Sequence, residues 1–350
     1  MKKKILIVGY AGYVGSVLTP FLKNNNFEVL GIDTHYFNNI NFYKGPLNYL
    51  YPQIIINSDI RSLNFMNIPK DLYAIIFLSA ISNDPMGSQF KSATHEINTS
   101  SCLRLAKFCK KIGIKRFIFA SSCSLYGASG NVSKKETDNL EPITEYALSK
   151  ANAEDGLLKL ADKNFQVFAL RFSTACGYSP NMRFDLVLND FVLNATIKKS
   201  IHLLSSGESW RPLIHVNDMA KAFLWAINYN PKSYFFPVNI GLNSWNIKIA
   251  DLAFKISKLI PNTKVKITKN SFFDKRSYTV DFRLFEKSAS KKYLPNVTLK
   301  YAVKNLENMI QQFNYNYVNF RKSDNWIRLE KLKKLIKLEQ LNKELYWNYS

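Results

Sequence analysis

The apolar run Ile5-Leu6-Ile7-Val8 passes directly into Gly9-Tyr10-Ala11-Gly12-Tyr13-Val14-Gly15. An apolar, β-branched run that ends in regularly spaced glycines reads as a buried strand turning into a helix. The glycines let the backbone approach a pyrophosphate at the positive end of that helix. The preceding Met1-Lys2-Lys3-Lys4 has the look of a secretory leader, but Gly9, Gly12 and Gly15 interrupt the apolar stretch too early for one. We read a first strand rather than a leader.

Similar short runs recur at 27–32, 54–56, 74–78, 117–120 and 167–170, separated by helical stretches at 13–23, 89–112 and 145–163. Continuous apolar strands alternating with helices predict a parallel, doubly wound sheet covered on both faces. The spacing of Leu103, Ala106 and Cys109 gives the second of these helices one buried face. After Arg171 the rhythm changes to loops rich in Ser, Gly and Pro, with helices expected at 185–198 and 218–229, so a second, smaller lobe begins there. From about residue 316, Trp326, Leu329, Leu332, Leu335, Ile336 and Leu338 stand among lysines. This pattern predicts one or two amphipathic helices capping the protein or a neighbouring subunit, with a membrane-surface helix as the other reading.

A chain of 350 residues is long enough for such a two-lobed α/β protein. With 47% hydrophobic and 21% charged residues, it falls outside the disordered and fibrous classes. The four cysteines, Cys102, Cys109, Cys123 and Cys176, show no CxxC pairing and no zinc-finger histidines. Neither a metal site nor a disulfide framework is expected, and a reducing cytoplasm fits best. No stretch is long and apolar enough for a membrane helix. The net charge of +22 attracts polyanions, yet the lysines are scattered among Asn and Ile rather than gathered into a patch. That distribution suits steering of a small anionic substrate better than binding of nucleic acid.

Asp33 ends the second apolar run, where a carboxylate bonds the adenosine ribose hydroxyls of NAD and repels the 2′-phosphate of NADP. No arginine follows it; the neighbours are Thr34, His35 and Tyr36, so NAD is the expected cofactor. A turn-capping carboxylate is the other reading of Asp33. Ser122 lies at the end of a later strand in Ala120-Ser121-Ser122-Cys123-Ser124-Leu125-Tyr126-Gly127. Tyr146 and Lys150, in Tyr146-Ala147-Leu148-Ser149-Lys150, stand one helical turn apart on one face. A tyrosine, with its ordinary pKa near ~10, acts as a base near neutrality only beside positive charge. Lys150 and an oxidised nicotinamide would supply that charge, and Ser122 would hydrogen-bond the same substrate hydroxyl.

In combination these motifs resemble the extended short-chain dehydrogenase/reductases, the NAD-dependent epimerase/dehydratase family typified by UDP-galactose 4-epimerase, over the chain to about residue 315. The resemblance implies a Rossmann-type domain at 1–175, with 212–240 partly returning to it, a substrate-binding lobe at 176–315, and a helical extension at 316–350. It implies Ser122, Tyr146 and Lys150 as catalytic residues. The implied cofactor set is Gly9, Gly12, Tyr13, Val14, Gly15, Asp33, Asp59, Ile60, Leu78, Ser79, Ala80, Asn98, Ser121, Tyr146, Lys150 and Phe172. For a nucleotide-diphosphate sugar it implies Ser82, Ser122, Ser124, Thr174, Arg183, Asn189, Arg211 and Arg276. Arg211, in Trp210-Arg211-Pro212-Leu213-Ile214-His215-Val216-Asn217-Asp218, and Arg276, in Asp274-Lys275-Arg276-Ser277-Tyr278, match the family's diphosphate-gripping segments. His215 reads as a core histidine.

Where sugar-nucleotide 4,6-dehydratases carry an Asp-Glu pair, this chain has Cys123 and Ser124. Dehydration is therefore not expected, and reversible oxidation at one carbon, as in an epimerase, leads. The segment from Ser179 to Phe191 and the Asp-Lys-Arg-Ser-Tyr run are also similar to a capsule-pathway subgroup containing GDP-heptose 4-dehydrogenase, which points to surface-polysaccharide sugars. A C4 dehydrogenase or ketosugar reductase shares every motif named. A non-catalytic nucleotide-binding relative is the alternative of another class. The family further implies a homodimer.

Overall fold

The apolar runs become the strands of a single sheet. The computed structural model describes residues 2–37, 43–129, 132–268, 276–313, 323–324 and 326–348. Within it β1 (Lys4–Val8), β2 (Glu28–Asp33), β3 (Ile54–Asn57), β4 (Leu72–Phe77), β5 (Arg116–Ser122), β6 (Gln166–Phe172) and β7 (Phe235–Ile240) form a seven-stranded sheet in the order β7-β6-β5-β4-β1-β2-β3. Every pairing in it is parallel. The chain winds outward from β1 to β3 and then returns to place β4 on the other side of β1. Ligands of doubly wound sheets bind at that reversal, beyond the carboxyl ends of the strands. The strand β7 was not read from the sequence because Pro237 interrupts its apolar run. Proline is tolerated there because β7 is an edge strand, paired only with β6.

On the sheet and in the second lobe lie the helices α1 (Gly15–Asn24), α2 (Asp84–Gln89), α3 (Ser101–Lys111), α4 (Glu145–Leu160), α5 (Val187–Lys198), α6 (Val216–Asn228), α7 (Ile249–Leu259), α8 (Leu299–Gln312) and, in the extension, α9 (Arg328–Lys337). One face of the sheet packs on α3 and α4 and the other on α1 and α6, giving two apolar clusters. The single helix expected at 89–112 runs without interruption over 91–111, with one segment wound as a π helix. The backbone leaves helical geometry at Phe90, resumes over Lys91–His95, and widens into a π turn at Glu96–Ser100 before α3. The buried stripe of α3 is Cys102, Leu105, Ala106 and Cys109. Leu103 instead lies against α4, where a Cβ on Gly156 would come within 2.5 Å of it, so the glycine permits the close approach.

The second lobe gathers α5, α7 and α8 around Leu188, Val192, Leu252, Ile256, Val303 and Leu306. Its strand Trp210–His215 pairs with Thr174–Cys176 and with Asn246–Lys248. The segment after β6 crosses back over the glycine turn. Tyr13 Oη donates to Gly177 O at 2.6 Å, Ser179 Oγ to Tyr13 O at 2.7 Å, and Asn181 Nδ2 to Phe37 O at 2.8 Å. The two lobes are thereby stitched together at the first βα turn.

The extension folds onto its own chain. Among the described residues it contains one helix, α9, followed by a tail closed by a bridge between Leu341 and Trp347; residues 316–322 lie outside the described set. Leu332, Leu335, Leu341 and Leu345 are buried in the same cluster as side chains of β1 and β2. Burying a leucine side chain contributes roughly 1.5–3 kcal/mol, so these four anchor the extension firmly. No helix among the described residues is long and apolar enough to cross a membrane, and no His/Cys/Asp/Glu cluster there has metal-site geometry.

Candidate active site

A cavity of about 670 Å³ opens where the strand order reverses, lined by the first βα turn, the ends of β2, β4, β5 and β6, and residues of the second lobe. Its floor depends on glycine. Gly9 has φ of 94°, and a Cβ there would stand 2.7 Å from Ser79 N; a Cβ on Gly15 would stand 2.3 Å from Tyr10 O. The start of α1 has no side-chain cap and no acidic residue in its first turn. Its amides are left to an anion, which the helix dipole favours. The Asp33 carboxylate accepts hydrogen bonds from Ala11 N at 3.0 Å and His35 N at 2.8 Å while lining the cavity. The turn-capping role of Asp33 is thus observed, and a carboxylate oxygen that accepts one bond keeps capacity for another, which leaves the ribose-binding reading open. Asp59 also lines the cavity but is committed to Arg61, whose Nη2 lies 2.6 Å from its Oδ2, and to Tyr36 Oη at 3.2 Å.

Strand β5 delivers Ser122 and helix α4 delivers Tyr146 and Lys150 to the same wall. Helix α4 starts at Thr144, whose side chain accepts from Ala147 N and whose hydroxyl donates to Asp84 at 2.7 Å. Burial pushes the Tyr146 phenol up to about 12, opposed by a hydrogen bond from Ser122 and by the charge of Arg183. Lys150 is almost fully buried, and burial pulls it down to about 8. Its ammonium donates to Ala120 O at 2.8 Å and lies 4.6 Å above the Phe119 ring. The pull on the phenol that the sequence assigned to Lys150 therefore comes chiefly from Ser122 and Arg183 here. Beneath them Glu154 pairs with Arg171 at 2.7 Å and accepts from Ser121. Arg171 also donates to Tyr126 Oη at 2.9 Å, which donates to Asn239 at 2.7 Å, so the ends of β5 and β6 and helix α4 are fixed to one another.

Ser82, Ser124, Thr174, Arg183, Arg211 and Arg276 also line the cavity, the Ser124 hydroxyl lying 2.9 Å from that of Ser122. Arg183 forks onto Asp185 at 3.0 and 2.7 Å and donates to Ser82 at 2.9 Å. Arg276 pairs with Asp84, while Arg211 lies 5.6 Å from the Tyr278 ring centre and donates to Trp210 O at 2.8 Å. Of the late arginine run, Asp274 and Lys275 lie outside the described residues. Cys123 points away from the cavity, its thiol donating to Arg171 O at 3.0 Å and raised by burial.

The sequence-predicted cofactor and substrate residues line this one cavity, with two corrections. Asn98 is fully buried behind the wall. Its amide bonds Ile81 N at 2.8 Å, Ile81 O at 3.0 Å and Ser149 Oγ at 2.9 Å, so it holds the loop after β4 against α4 and does not itself line the cavity. Asn189 is likewise fully buried, accepting from Gly177 N at 2.9 Å and donating to Arg183 O at 2.9 Å. The π turn carries Asn98 inward, and α5 carries Asn189 inward, neither of which spacing announces. His215 is buried in the second lobe away from the cavity, where burial lowers it to about 4. Sequence reasoning missed Asp84 and Asp185, the carboxylates facing the arginines, and Arg328 of α9, which also lines the cavity. An isolated arginine in a lysine-rich tail gives no signal of such a position.

The glycine cradle, the uncapped start of α1 and the carboxylate ending β2 are the features a bound dinucleotide requires. Residues 5–241 match the model of the NAD dependent epimerase/dehydratase family, and the chain belongs to that family. It is accordingly an NAD-dependent enzyme. A putative UDP-glucose 4-epimerase of Methanocaldococcus jannaschii is 25% identical, across 89% of this chain and 99% of its own. The UDP-glucose 4-epimerase of Streptococcus mutans is 24% identical, across 72% and 81%. Among solved structures, a UDP-N-acetylglucosamine 4-epimerase from Methanobrevibacter ruminantium M1 in complex with UDP-N-acetylmuramic acid superposes with a TM-score of 0.76, at 23% identity over 89% of this chain and 99% of that one. A UDP-glucuronic acid 4-epimerase from Bacillus cereus in complex with UDP-glucuronic acid and NAD superposes at 0.75, with 20% identity over 88% and 99%.

Proposed function

We propose that the chain is a nucleotide-sugar epimerase that inverts one hydroxyl-bearing carbon, C4 of the sugar, by oxidising it and reducing it again. The observation that carries this reading is the convergence of Ser122, Tyr146 and Lys150 with the glycine cradle and with Arg211 and Arg276 around one cavity. Gly9, Gly12, Gly15 and Asp33 would hold NAD, which supplies the two-electron acceptor for the sugar carbon. Tyr146 Oη takes the proton from the sugar hydroxyl, and Ser122 holds that hydroxyl in line. Lys150 orients the nicotinamide ribose, while Ser122 and the charge of Arg183 ease ionisation of the phenol. The keto sugar then turns about its diphosphate link, held by Arg211 and Arg276, and Tyr146 returns the proton as the carbon is reduced on its opposite face.

Cys123 and Ser124 stand where a dehydratase needs an acid and a base, and the buried, raised thiol of Cys123 serves neither role. This favours epimerisation over loss of water. The 4-epimerases among its relatives support a nucleoside-diphosphate sugar as substrate. The likeness of 179–191 to the capsule-pathway subgroup supports a sugar destined for a surface polysaccharide, made by a cytoplasmic homodimer. The direct test is mass spectrometry of ligands released from the purified protein, followed by turnover of the nucleotide sugar so identified. Release of NAD with a nucleoside-diphosphate sugar and formation of its C4 epimer support the reading. An enzyme that binds NAD yet turns over none of the UDP-, GDP-, dTDP- or CDP-sugars contradicts it and returns the chain to the non-catalytic class.

A further inference from the structure

Arg328 opens α9, outside the residues 5–241 that the family model matches. Its guanidinium stacks 4.5 Å from the Phe37 ring centre and lines the cavity with Asp33 and Arg183. Its Nε and Nη2 are closed off from solvent and have no hydrogen-bond partner among the described residues. Burial and the like charge of Arg183 lower Arg328 to about 9, offset only in part by Asp185 and Asp33. Asp185 is engaged by other donors, both of its oxygens accepting from Arg183 and one of them also from Asn83, while Arg328 makes no hydrogen bond to it. A desolvated guanidinium with unfilled donors lacks an anion presenting two oxygens at once.

The tail beyond α9 fixes the position. Trp347 Nε1 donates to Thr34 O at 2.8 Å, next to Asp33, and Arg61 Nη2 donates to Leu345 O at 2.7 Å, beside Asp59. The extension thus crosses the side of the cavity where β2 ends. The glycine turn, an anion-binding element, lines the same cavity as Arg328 and Asp33.

We propose that Arg328 is a cofactor-binding residue supplied by the C-terminal extension, its guanidinium fork gripping the diphosphate of the dinucleotide opposite the amides that begin α1. The extension is on this account a strap over the cofactor, and the cradle of the family core is completed by a segment outside that core. The inference rests on the cofactor alone and stands whichever sugar the enzyme turns over.

The test uses the full-length chain with Arg328→Gln and Arg328→Lys. It measures NAD content after purification, thermal unfolding, and calorimetric affinity for ADP-ribose, UDP and GDP. ADP-ribose carries the dinucleotide's diphosphate, whereas UDP and GDP carry that of the sugar donor. Arg328→Gln is expected to lose co-purified NAD and to weaken ADP-ribose at least about tenfold, and Arg328→Lys to weaken it less, because lysine keeps charge but not the fork. UDP and GDP should be unaffected. Unchanged ADP-ribose affinity overturns the proposal, as does a loss confined to UDP or GDP. Equal losses for all ligands with a lowered unfolding temperature also overturn it, leaving Arg328 as an anchor of the extension. Should Arg328→Gln not fold, the lysine variant alone decides by the same comparison.

Discussion

Tyr146 sits in a place that opposes its own ionisation, since burial pushes the phenol up to about 12 while Ser122 and Arg183 draw it back. Tyr146→Phe keeps the ring and removes the proton acceptor. Turnover should fall at least ~10²-fold, with a smaller change in KM and no loss of bound NAD. Near-native turnover in steady-state assays would remove Tyr146 from the chemistry. Ser122→Ala deletes a hydrogen bond that lowers the phenol pKa. Because the base must be deprotonated, turnover declines toward acid, and the variant's kcat–pH profile should have its acid limb displaced to higher pH as well as a lower plateau. An undisplaced limb would assign Ser122 to substrate positioning alone. At Asp33 the expected effect is on cofactor choice. Asp33→Asn removes the negative charge that faces a 2′-phosphate, and the preference for NAD over NADP should shrink by about tenfold or more in binding titrations. An unchanged preference would leave Asp33 only its bonds to Ala11 and His35. Ser122, Tyr146, Lys150 and Asp33 were legible because local spacing and strand ends dictate where they point. Asn98 and Asn189 were misjudged because a side chain's direction within a distorted or buried helix is not written in its spacing.

Helix α4 and strands β5 and β6 act as a unit through the buried Glu154–Arg171 pair, which accepts Ser121 on one side and reaches Tyr126 and Asn239 on the other. Removing one partner of such a pair strands a charge in the interior. Glu154→Gln is therefore expected to cost about 3–5 kcal/mol of stability in denaturant unfolding. A loss within experimental error would mean that Arg171 finds another partner. Strands β1, β2, β4, β5 and β6 could be read from the sequence because strands buried on both faces appear as unbroken apolar runs, and the edge strand β3 showed the same apolar run although Ile54 and Ile55 are exposed. β7 escaped notice because Pro237 disguises an edge strand, and the helix expected at 89–112 is present over 91–111 with a π segment at Glu96–Ser100, which the spacing did not announce and which carries the buried Asn98.

At the scale of the whole molecule, the cavity is lined by strand ends of the sheet, by Arg328 of the extension and by residues of the second lobe, and on the proposed reading the first two face the cofactor and the last the substrate. The two sets of arginines should therefore separate by ligand. Arg211→Ala and Arg276→Ala are expected to weaken nucleotide-sugar binding at least about tenfold while leaving NAD binding near native, and equal losses for both ligands would place them elsewhere. The amphipathic pattern of the tail was visible in the sequence, but its destination was not, since a stripe of leucines says only that some apolar surface must cover it. The central claim is oxidation and re-reduction at one carbon with no net change in the cofactor. It is tested most directly by following the co-purified nucleotide sugar by proton NMR with enzyme as isolated and no added NAD, while absorbance reports reduced nicotinamide. The expected result is approach to an equilibrium of two C4 epimers with no accumulation of reduced cofactor; a keto sugar formed in step with reduced nicotinamide would contradict the account and make the enzyme a one-way dehydrogenase.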